Sequence, residues 1–121
     1  MHSTNKLDAA PAGENLSGHV AVVTGGSRGI GKAIASRLAQ LGAAVSLCAR
    51  NARALETTAA ELSANGATVR SQAFDVTNAR DVASFIEATE KELGPITILV
   101  NNVPREVFAG RSGIQLVCAM H

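Results

Sequence analysis

Residues Thr24 to Gly31 read TGGSRGIG and lie between an apolar run, Val20 to Val23, and a stretch with helical spacing of apolar residues. Three positions in this stretch call for glycine: a strand turns tightly into a helix, the backbone approaches a ligand, and that helix lies close to the sheet. The three glycines are Gly25, Gly29 and Gly31. The amides at the start of such a helix point outward at the positive end of the helix dipole. The stretch therefore predicts a loop that binds the phosphates of a dinucleotide.

The same residues also fit a second phosphate-binding pattern. From Gly26 to Lys32 the chain has the spacing G-x-x-x-x-G-K, which is typical of nucleotide hydrolases. That pattern continues with Ser or Thr to hold magnesium, whereas this chain has Ala33, which offers no oxygen ligand. The dinucleotide interpretation is therefore favoured and Lys32 is expected on an exposed helix turn. A glycine-rich turn without any ligand is the remaining alternative.

Composition argues against several classes of function. The formal net charge of the 121 residues is +1, so no basic surplus indicates nucleic-acid binding. Hydrophobic residues make up 46% of the chain, yet no apolar run resembles a signal peptide or reaches the roughly 20 residues of a membrane helix. Cys48 and Cys118 lack CxxC or metal-ligand spacing. We expect a cytoplasmic protein with reduced cysteines, no metal site, and no membrane or nucleic-acid partner.

Strand and helix patterns alternate from His19 onward. The expected strands are residues 19–24, 44–48, 68–74 and 96–100, and the expected second helix is 52–64. Alternation of this kind predicts an α/β fold with a doubly wound, Rossmann-type parallel sheet, truncated after the fourth strand. The domain is expected to span residues 18–102, after a flexible N-terminal extension of residues 1–17.

Helix boundaries are also readable from the sequence. The third helix is expected to begin at Thr77 or Asn78 and to end at Gly94, and Gly42 is expected to stop the first helix in a left-handed conformation. The first helix is expected to bury a stripe of apolar residues at Ile30, Ala33, Ile34, Leu38 and Leu41.

Candidate ligand-binding residues follow each predicted strand, where ligands collect in a doubly wound sheet. After the glycine loop come Arg50, then Asp75-Val76, then Asn101-Asn102. Arg50 lies 19 residues beyond Gly31, where an NAD site usually has an acidic residue on the ribose. A guanidinium there suits a 2′-phosphate, and Arg28 offers a second cation. The pattern favours NADP over NAD.

Each of these residues has a structural alternative that the sequence leaves open. Arg28 and Arg50 also fit ordinary solvated surface charges. Asp75 fits a turn carboxylate that accepts backbone hydrogen bonds as well as it fits an adenine contact. Asn101-Asn102 fits a polar turn, and Thr24 is expected to bond to a neighbouring strand end. The order and spacing of the residues carry the NADP interpretation.

The combination of TGGSRGIG with LCAR at 47–50, DVT at 75–77 and ILVNN at 98–102 resembles the short-chain dehydrogenase/reductase family over about residues 16–102. It is most similar to reductases like 3-oxoacyl-[acyl-carrier-protein] reductase, which reduce a carbonyl to an alcohol with NADPH. The resemblance implies that the phosphates are lined by Gly25, Ser27, Arg28, Gly29, Ile30 and Gly31. It also implies Arg50 on the 2′-phosphate, Asp75 and Val76 on adenine, and Asn101 beside its ribose.

The chain departs from this family pattern after Asn102, where Val103-Pro104 replaces the usual Ala-Gly. In the family, a tyrosine protonates the carbonyl oxygen, and a lysine four residues later lowers the pKa of that tyrosine. A serine orients the substrate. This chain has no tyrosine, and its last lysine is Lys91. Without acid catalysis worth about 10² to 10⁴ in rate, the chain alone is not expected to be a competent reductase. The alternative function is a non-catalytic module for NADP binding or association.

The tail, residues 103–121, is atypical for the family. Its mostly apolar run, residues 114–120, fits either a strand or a helical turn. The resemblance implies the strand order 3-2-1-4, in which the fourth strand would expose an apolar edge and favour self-association unless the tail covers it. We expect that a reading-frame shift or an alternative splice replaced the natural continuation near Asn102.

Overall fold

The computed structural model describes residues 15–27 and 29–102, together with the backbone of residues 115–118. Its elements in chain order are β1 Val20–Thr24, α1 Gly29–Gln40, β2 Ala44–Ala49, α2 Ala52–Ala64, β3 Val69–Ala73, α3 Ala79–Leu93, β4 Ile98–Asn101 and β5 Gln115–Cys118. Every strand and helix predicted between residues 18 and 102 is present, and α2 has the predicted bounds.

The strands form one parallel sheet in the order β3-β2-β1-β4-β5. The predicted order 3-2-1-4 is confirmed. β1 lies between β2 and β4, with Thr24 opposite Cys48 on one side and Asn101 on the other. The strand order reverses between β1 and β4, so the loop after β1 emerges beside the end of β4. In such sheets this crevice is where ligands bind.

The sheet has a fifth strand, which comes from the atypical tail. β5 pairs in parallel with β4, with Leu99 opposite Leu116, so the tail run forms a strand rather than a helical turn. Residues 102–114 lie between the two strands in the sequence. The outer edge of β4 is therefore paired, and the exposed apolar edge expected there is covered.

The strands β2, β1 and β4 are buried on both faces, as expected for a parallel sheet, whereas β3 is partly exposed. One face, with Val23 and Leu47, packs under α1 and α2. The opposite face, with Val22 and Cys48, packs against α3, where Phe85 is fully buried. All residues of β1 are buried, so the strand that leads into the glycine loop is held from both sides.

The buried stripe predicted for α1 is partly wrong. Ile30 is 44% exposed and Ala33 is exposed, whereas the buried positions are Gly31, Ala35 and Leu38. Small residues at 31 and 35 let the helix lie close to the sheet. Ile30, at the start of the helix, faces the cleft described below instead of the core.

The helix ends follow the predicted residues. Asn78 is the N-cap of α3, and its side chain accepts a hydrogen bond from the amide of Asp81 at 3.1 Å. Gly42 and Gly94 have φ of +102° and +110°, which only glycine adopts readily. Within residues 15–27 and 29–102, no helix combines the length and the apolar character needed to cross a bilayer.

Candidate functional site

The glycine loop, residues 25–31, begins with backbone hydrogen bonds to the end of β2. The amides of Gly25 and Gly26 both donate to the carbonyl oxygen of Cys48, at 2.8 and 3.4 Å. Because these two amides already donate to an acceptor within the protein, a bound phosphate must accept hydrogen bonds from amides later in the loop. The first four N–H groups of a helix have no partner inside it, and in α1 these begin at Gly29.

Three glycines give this loop its shape. Gly25 and Gly29 have φ of +66° and +63°, in the left-handed region. Gly31 is required for a different reason, since a Cβ there would lie 2.2 Å from the carbonyl oxygen of Gly25 and 2.7 Å from Nδ2 of Asn102. The start of α1 therefore rests directly on the loop and on the end of β4, as the sequence predicts for a glycine at this position.

Thr24 joins the ends of β1 and β4. Its hydroxyl donates to Oδ1 of Asn101 at 3.0 Å and accepts from the amide of Asn102 at 2.8 Å. This confirms the predicted bond from Thr24 to a neighbouring strand end. Asn102 in turn donates from Nδ2 to the carbonyl oxygen of Gly25 at 3.3 Å. Its Oδ1 is buried and has no hydrogen-bond partner among the described residues.

The middle of the loop is attached to α2. Thr58, which is 1% exposed, donates its hydroxyl hydrogen to the carbonyl oxygen of Ser27 at 2.9 Å. Ser27 is itself buried. The loop is thus held at its start by β2, at its centre by α2 and at its end by β4.

The turn after β2 carries Arg50 and Asn51, both exposed. Asn51 caps α2, and its Oδ1 accepts a hydrogen bond from the amide of Ala54 at 2.9 Å. Next to this turn, the amide of Phe74 donates to the carbonyl oxygen of Ala49 at 3.0 Å. The ends of β2 and β3 therefore lie side by side next to the turn that carries Arg50.

The turn after β3 is stabilised by Asp75. Its Oδ1 accepts from the amide of Thr77 at 2.9 Å and from the Thr77 hydroxyl at 2.8 Å. This is the turn role that the sequence left open as an alternative to adenine contact. The neighbouring Val76 is half-buried.

These turns enclose a cleft of about 900 Å³ along the carboxyl ends of the strands. That volume is within the usual range for ligand sites. The lining residues are Gly25, Ser27, Gly29, Ile30, Ala49, Arg50, Asn51, Phe74, Val76 and Asn102.

The cleft brings together six of the predicted site residues, namely Gly25, Ser27, Gly29, Ile30, Arg50 and Val76. Gly31 lies against the loop behind them, while Asn101 is buried in β4 and Asp75 is exposed in its own turn. Arg28 lies outside the described residues.

Three lining residues were missed by the sequence analysis, namely Ala49, Asn51 and Phe74, whereas Asn102 was among the candidates after the fourth strand. Each of the three is adjacent in sequence to a predicted site residue. Their common signal is that they stand at the carboxyl ends of β2 and β3, where the parallel topology alone makes them candidates.

Lys32 does not take part in this cleft. Its Nζ lies 2.9 Å from Oε1 of Glu61 on α2, and its side chain is 42% exposed. The predicted exposed helix turn is confirmed. The hydrolase pattern from Gly26 to Lys32 therefore lacks both a metal-binding hydroxyl after the lysine and a lysine directed into the cleft.

The charge of the cleft suits an anion. Among the described residues that line it, Arg50 is the one ionisable side chain, and no carboxylate faces it. Cys48 adds no nucleophile nearby, because burial raises the pKa of its thiol to about 12 and keeps it protonated. The arrangement can bind phosphate groups through amides and a guanidinium, with apolar surface from Ile30, Phe74 and Val76 beside them.

Comparison with known proteins agrees with this architecture. The family model for short chain dehydrogenase matches residues 19–115. Glycine betaine reductase ATRR of Emericella nidulans is 48% identical over 95 residues, covering 78% of this chain and 7% of that protein. The 3-oxoacyl-[acyl-carrier-protein] reductase FabG of Pseudomonas aeruginosa is 44% identical over 88 residues, covering 73% of this chain and 36% of that protein.

A solved structure shows the same fold at similar identity. The NADPH-bound short chain oxidoreductase of Pseudomonas aeruginosa PAO1, which has an atypical catalytic center, superposes with a TM-score of 0.72 at 44% identity. The match covers 75% of this chain and 36% of that one. The chain thus spans about a third of the length of the two Pseudomonas aeruginosa proteins and 7% of glycine betaine reductase ATRR. From the family match, the sequence identities and the shared fold, the chain belongs to the short-chain dehydrogenase family.

Proposed function

We propose that the cleft binds NADP(H), with the pyrophosphate at the glycine loop and the 2′-phosphate at Arg50. The observation that carries the proposal is the meeting of the glycine loop and Arg50 in one cleft whose described lining residues include no carboxylate. An acidic residue would repel the 2′-phosphate, whereas the planar guanidinium binds it through two parallel hydrogen bonds. The NADPH-bound relative of the same fold supports this choice.

The described residues fit such a cofactor. Gly29 lines the cleft and a Cβ at this residue would stand in open space, so without a side chain the backbone there can come close to whatever occupies the cleft. The start of α1 presents unpaired amides and the positive end of its dipole to a pyrophosphate. Phe74 and Val76 offer apolar surface to the adenine ring on the Arg50 side. Asp75 acts on the same end through the turn that it stabilises, whereas Asn101 holds the end of β4 to β1 by accepting a hydrogen bond from Thr24.

The reaction class proposed for the protein is hydride transfer between NADP(H) and a carbonyl or alcohol. The bound cofactor would supply the hydride, and this chain's residues would hold and orient it. The similarity to 3-oxoacyl-[acyl-carrier-protein] reductase supports a carbonyl substrate.

The 121 residues alone are proposed to bind the cofactor without turning over a substrate. They contain no tyrosine, which the family uses as proton donor, and no lysine beyond Lys91. A positioned acid contributes about 10² to 10⁴ in rate, so hydride transfer to a carbonyl is slow without one. This absence also supports the second candidate function, a non-catalytic NADP-binding or association module.

The test is a titration of the chain with NADPH and with NADH, followed by the fluorescence of the reduced nicotinamide. Arg50→Gln should weaken NADPH binding by about ten- to a hundredfold, since charge-assisted hydrogen bonds to one phosphate are lost. NADH, which lacks that phosphate, should bind with unchanged affinity.

Arg53→Gln is the matched control. Arg53 is also exposed, lies three residues further along on α2, and does not line the cleft. Its loss should leave both affinities unchanged. Equal binding of NADPH and NADH by the unaltered chain, or equal effects of the two substitutions, would contradict the assignment of Arg50. Consumption of NADPH in the presence of a simple ketone, followed at 340 nm, would contradict the proposed lack of turnover.

A further inference from the structure

The hydroxyl of Thr58 makes a contact that differs from that of its neighbour on the same helix. Thr57 donates to the carbonyl oxygen of Arg53, four residues earlier, at 3.0 Å, which is the ordinary local bond of a helical threonine. Thr58 instead donates out of the helix to Ser27 in the glycine loop, at 2.9 Å. The hydroxyl of Thr58 therefore joins two elements that are far apart in sequence.

Burial makes this bond selective for one loop geometry. Thr58 is 1% exposed and Ser27 is 9% exposed, so little water reaches either partner. A buried carbonyl that loses its donor is left unsatisfied, which costs more than the bond itself is worth. Loop arrangements that move the Ser27 carbonyl away from α2 are therefore disfavoured.

The position of Ser27 in the loop explains why such a restraint matters. Two glycines in the left-handed region, Gly25 and Gly29, flank it, and glycine has the widest conformational freedom of any residue. The start of the loop is bonded to Cys48 and its end contacts Asn102. Between those two anchors, the hydrogen bond from the Thr58 side chain to Ser27 restrains the loop among the residues that the structure describes.

We propose that Thr58 is a positioning residue for the phosphate-binding loop: its hydroxyl holds the Ser27 carbonyl against α2 and so keeps the loop in the geometry that receives the pyrophosphate. The inference rests on the proposed NADP(H) function of the same cleft. A loop already held in its binding geometry loses little conformational freedom when the ligand arrives, which raises the affinity. Thr58 acts through Ser27 and does not itself line the cleft.

The experiment compares three variants of the full 121-residue chain, Thr58→Val, Thr58→Ser and Thr57→Val. Valine keeps the shape of threonine but cannot donate, serine keeps the hydroxyl, and Thr57 is the exposed control on the same helix. The ligands are NADPH and adenosine 2′-monophosphate, which keeps the adenine, the ribose and the 2′-phosphate but lacks the pyrophosphate. Circular dichroism establishes that each variant is folded at the temperature of the titration.

Thr58→Val should bind NADPH roughly five- to tenfold more weakly, because the loop occupies its binding geometry for a smaller fraction of the time. Thr58→Ser should restore most of the affinity, and Thr57→Val should leave it unchanged. Adenosine 2′-monophosphate, which displaces NADPH without using the loop, should bind equally to all three. If Thr58 only stabilised the fold, Thr58→Val would weaken the binding of both ligands equally.

The possible results separate this inference from the proposed function. If the unaltered chain does not bind NADPH, the proposed function itself is wrong, and the role of Thr58 falls with it. If the unaltered chain binds NADPH and Thr58→Val binds it equally well, the cofactor assignment stands and the role of Thr58 is overturned. Equal weakening of both ligands in Thr58→Val also overturns it, since the effect then reaches beyond the loop.

Discussion

Replacing Gly31 by alanine tests whether α1 must touch the glycine loop. The added Cβ would lie 2.2 Å from the carbonyl oxygen of Gly25 and 2.9 Å from its carbonyl carbon. Close carbon–oxygen contacts in proteins are about 3.3 Å, so the helix and the loop must separate by roughly 1 Å. Nδ2 of Asn102, at 2.7 Å, can move with its side chain, but the carbonyl group of Gly25 belongs to the backbone, and no flexible side chain can absorb its displacement.

Two opposing terms set the size of the effect. Overpacking in a well-packed region costs about 1–3 kcal/mol, and a backbone clash this close belongs at the upper end. Alanine in place of glycine favours a helix by up to about 1 kcal/mol, which offsets part of that cost. The free energy of unfolding should therefore fall by about 2 kcal/mol. For a domain of this size Tm should fall by roughly 10 °C.

Urea unfolding followed by circular dichroism measures the stability, and NADPH titration measures the effect on the cleft. Gly31→Ala should lower both, because the displaced loop is the one proposed to receive the pyrophosphate. Gly66→Ala is the control, since Gly66 has φ of +91° but open space around its Cβ position. It should cost about 1–2 kcal/mol through backbone strain alone and leave NADPH binding unchanged. A Gly31→Ala protein with unchanged stability and affinity would refute the close-contact reasoning.

Two further predictions concern buried groups beside the cleft. Thr24→Val removes the hydroxyl oxygen that accepts a hydrogen bond from the amide of Asn102 at 2.8 Å, so the free energy of unfolding should fall by about 1–3 kcal/mol. Thr57→Val on the surface is the control, and in the same urea titrations it should change the free energy of unfolding by less than about 0.5 kcal/mol. Cys48, with its pKa raised from 9.0 to about 12 by burial, should resist a thiol-specific reagent at pH 8 in the native protein and react in urea, as measured on a Cys118→Ser background. Because the folded pKa is the higher one, the contribution of Cys48 to stability is complete below pH 9 and should decline as the pH rises toward 12. Rapid reaction of native Cys48 at pH 8 would contradict its burial.

The elements and their order were predictable because their signals are local. Continuous apolar runs mark strands that are buried on both faces, and the residues that stop helices, such as Gly42 and Gly94, are needed for their positive φ. The glycine loop was predictable for the same reason, since three separate backbone demands fall on three glycines. Arg50 followed from its distance to that loop.

The remaining features depend on contacts between distant residues. Ile30 has the right spacing for a core position, but a helix that starts at a cleft exposes its first turn, so periodicity alone misassigned it. The Thr58 to Ser27 hydrogen bond spans two elements and leaves no trace in either local pattern. The short apolar run in the tail fits a helix or a strand equally well. The pairing with β4 shows that the run forms a strand, β5.

The central position of β1 has a consequence for how the chain folds during synthesis. Val23 pairs with Leu47 on one side and with Val100 on the other, so the strand made first waits longest for its second neighbour. At about 5–20 residues per second, the ribosome needs roughly 4 to 15 seconds to extend the chain from Val23 to Val100. During that interval β1, whose residues are apolar from Val20 to Val23, has an open edge, where a chaperone or another nascent chain can pair with it.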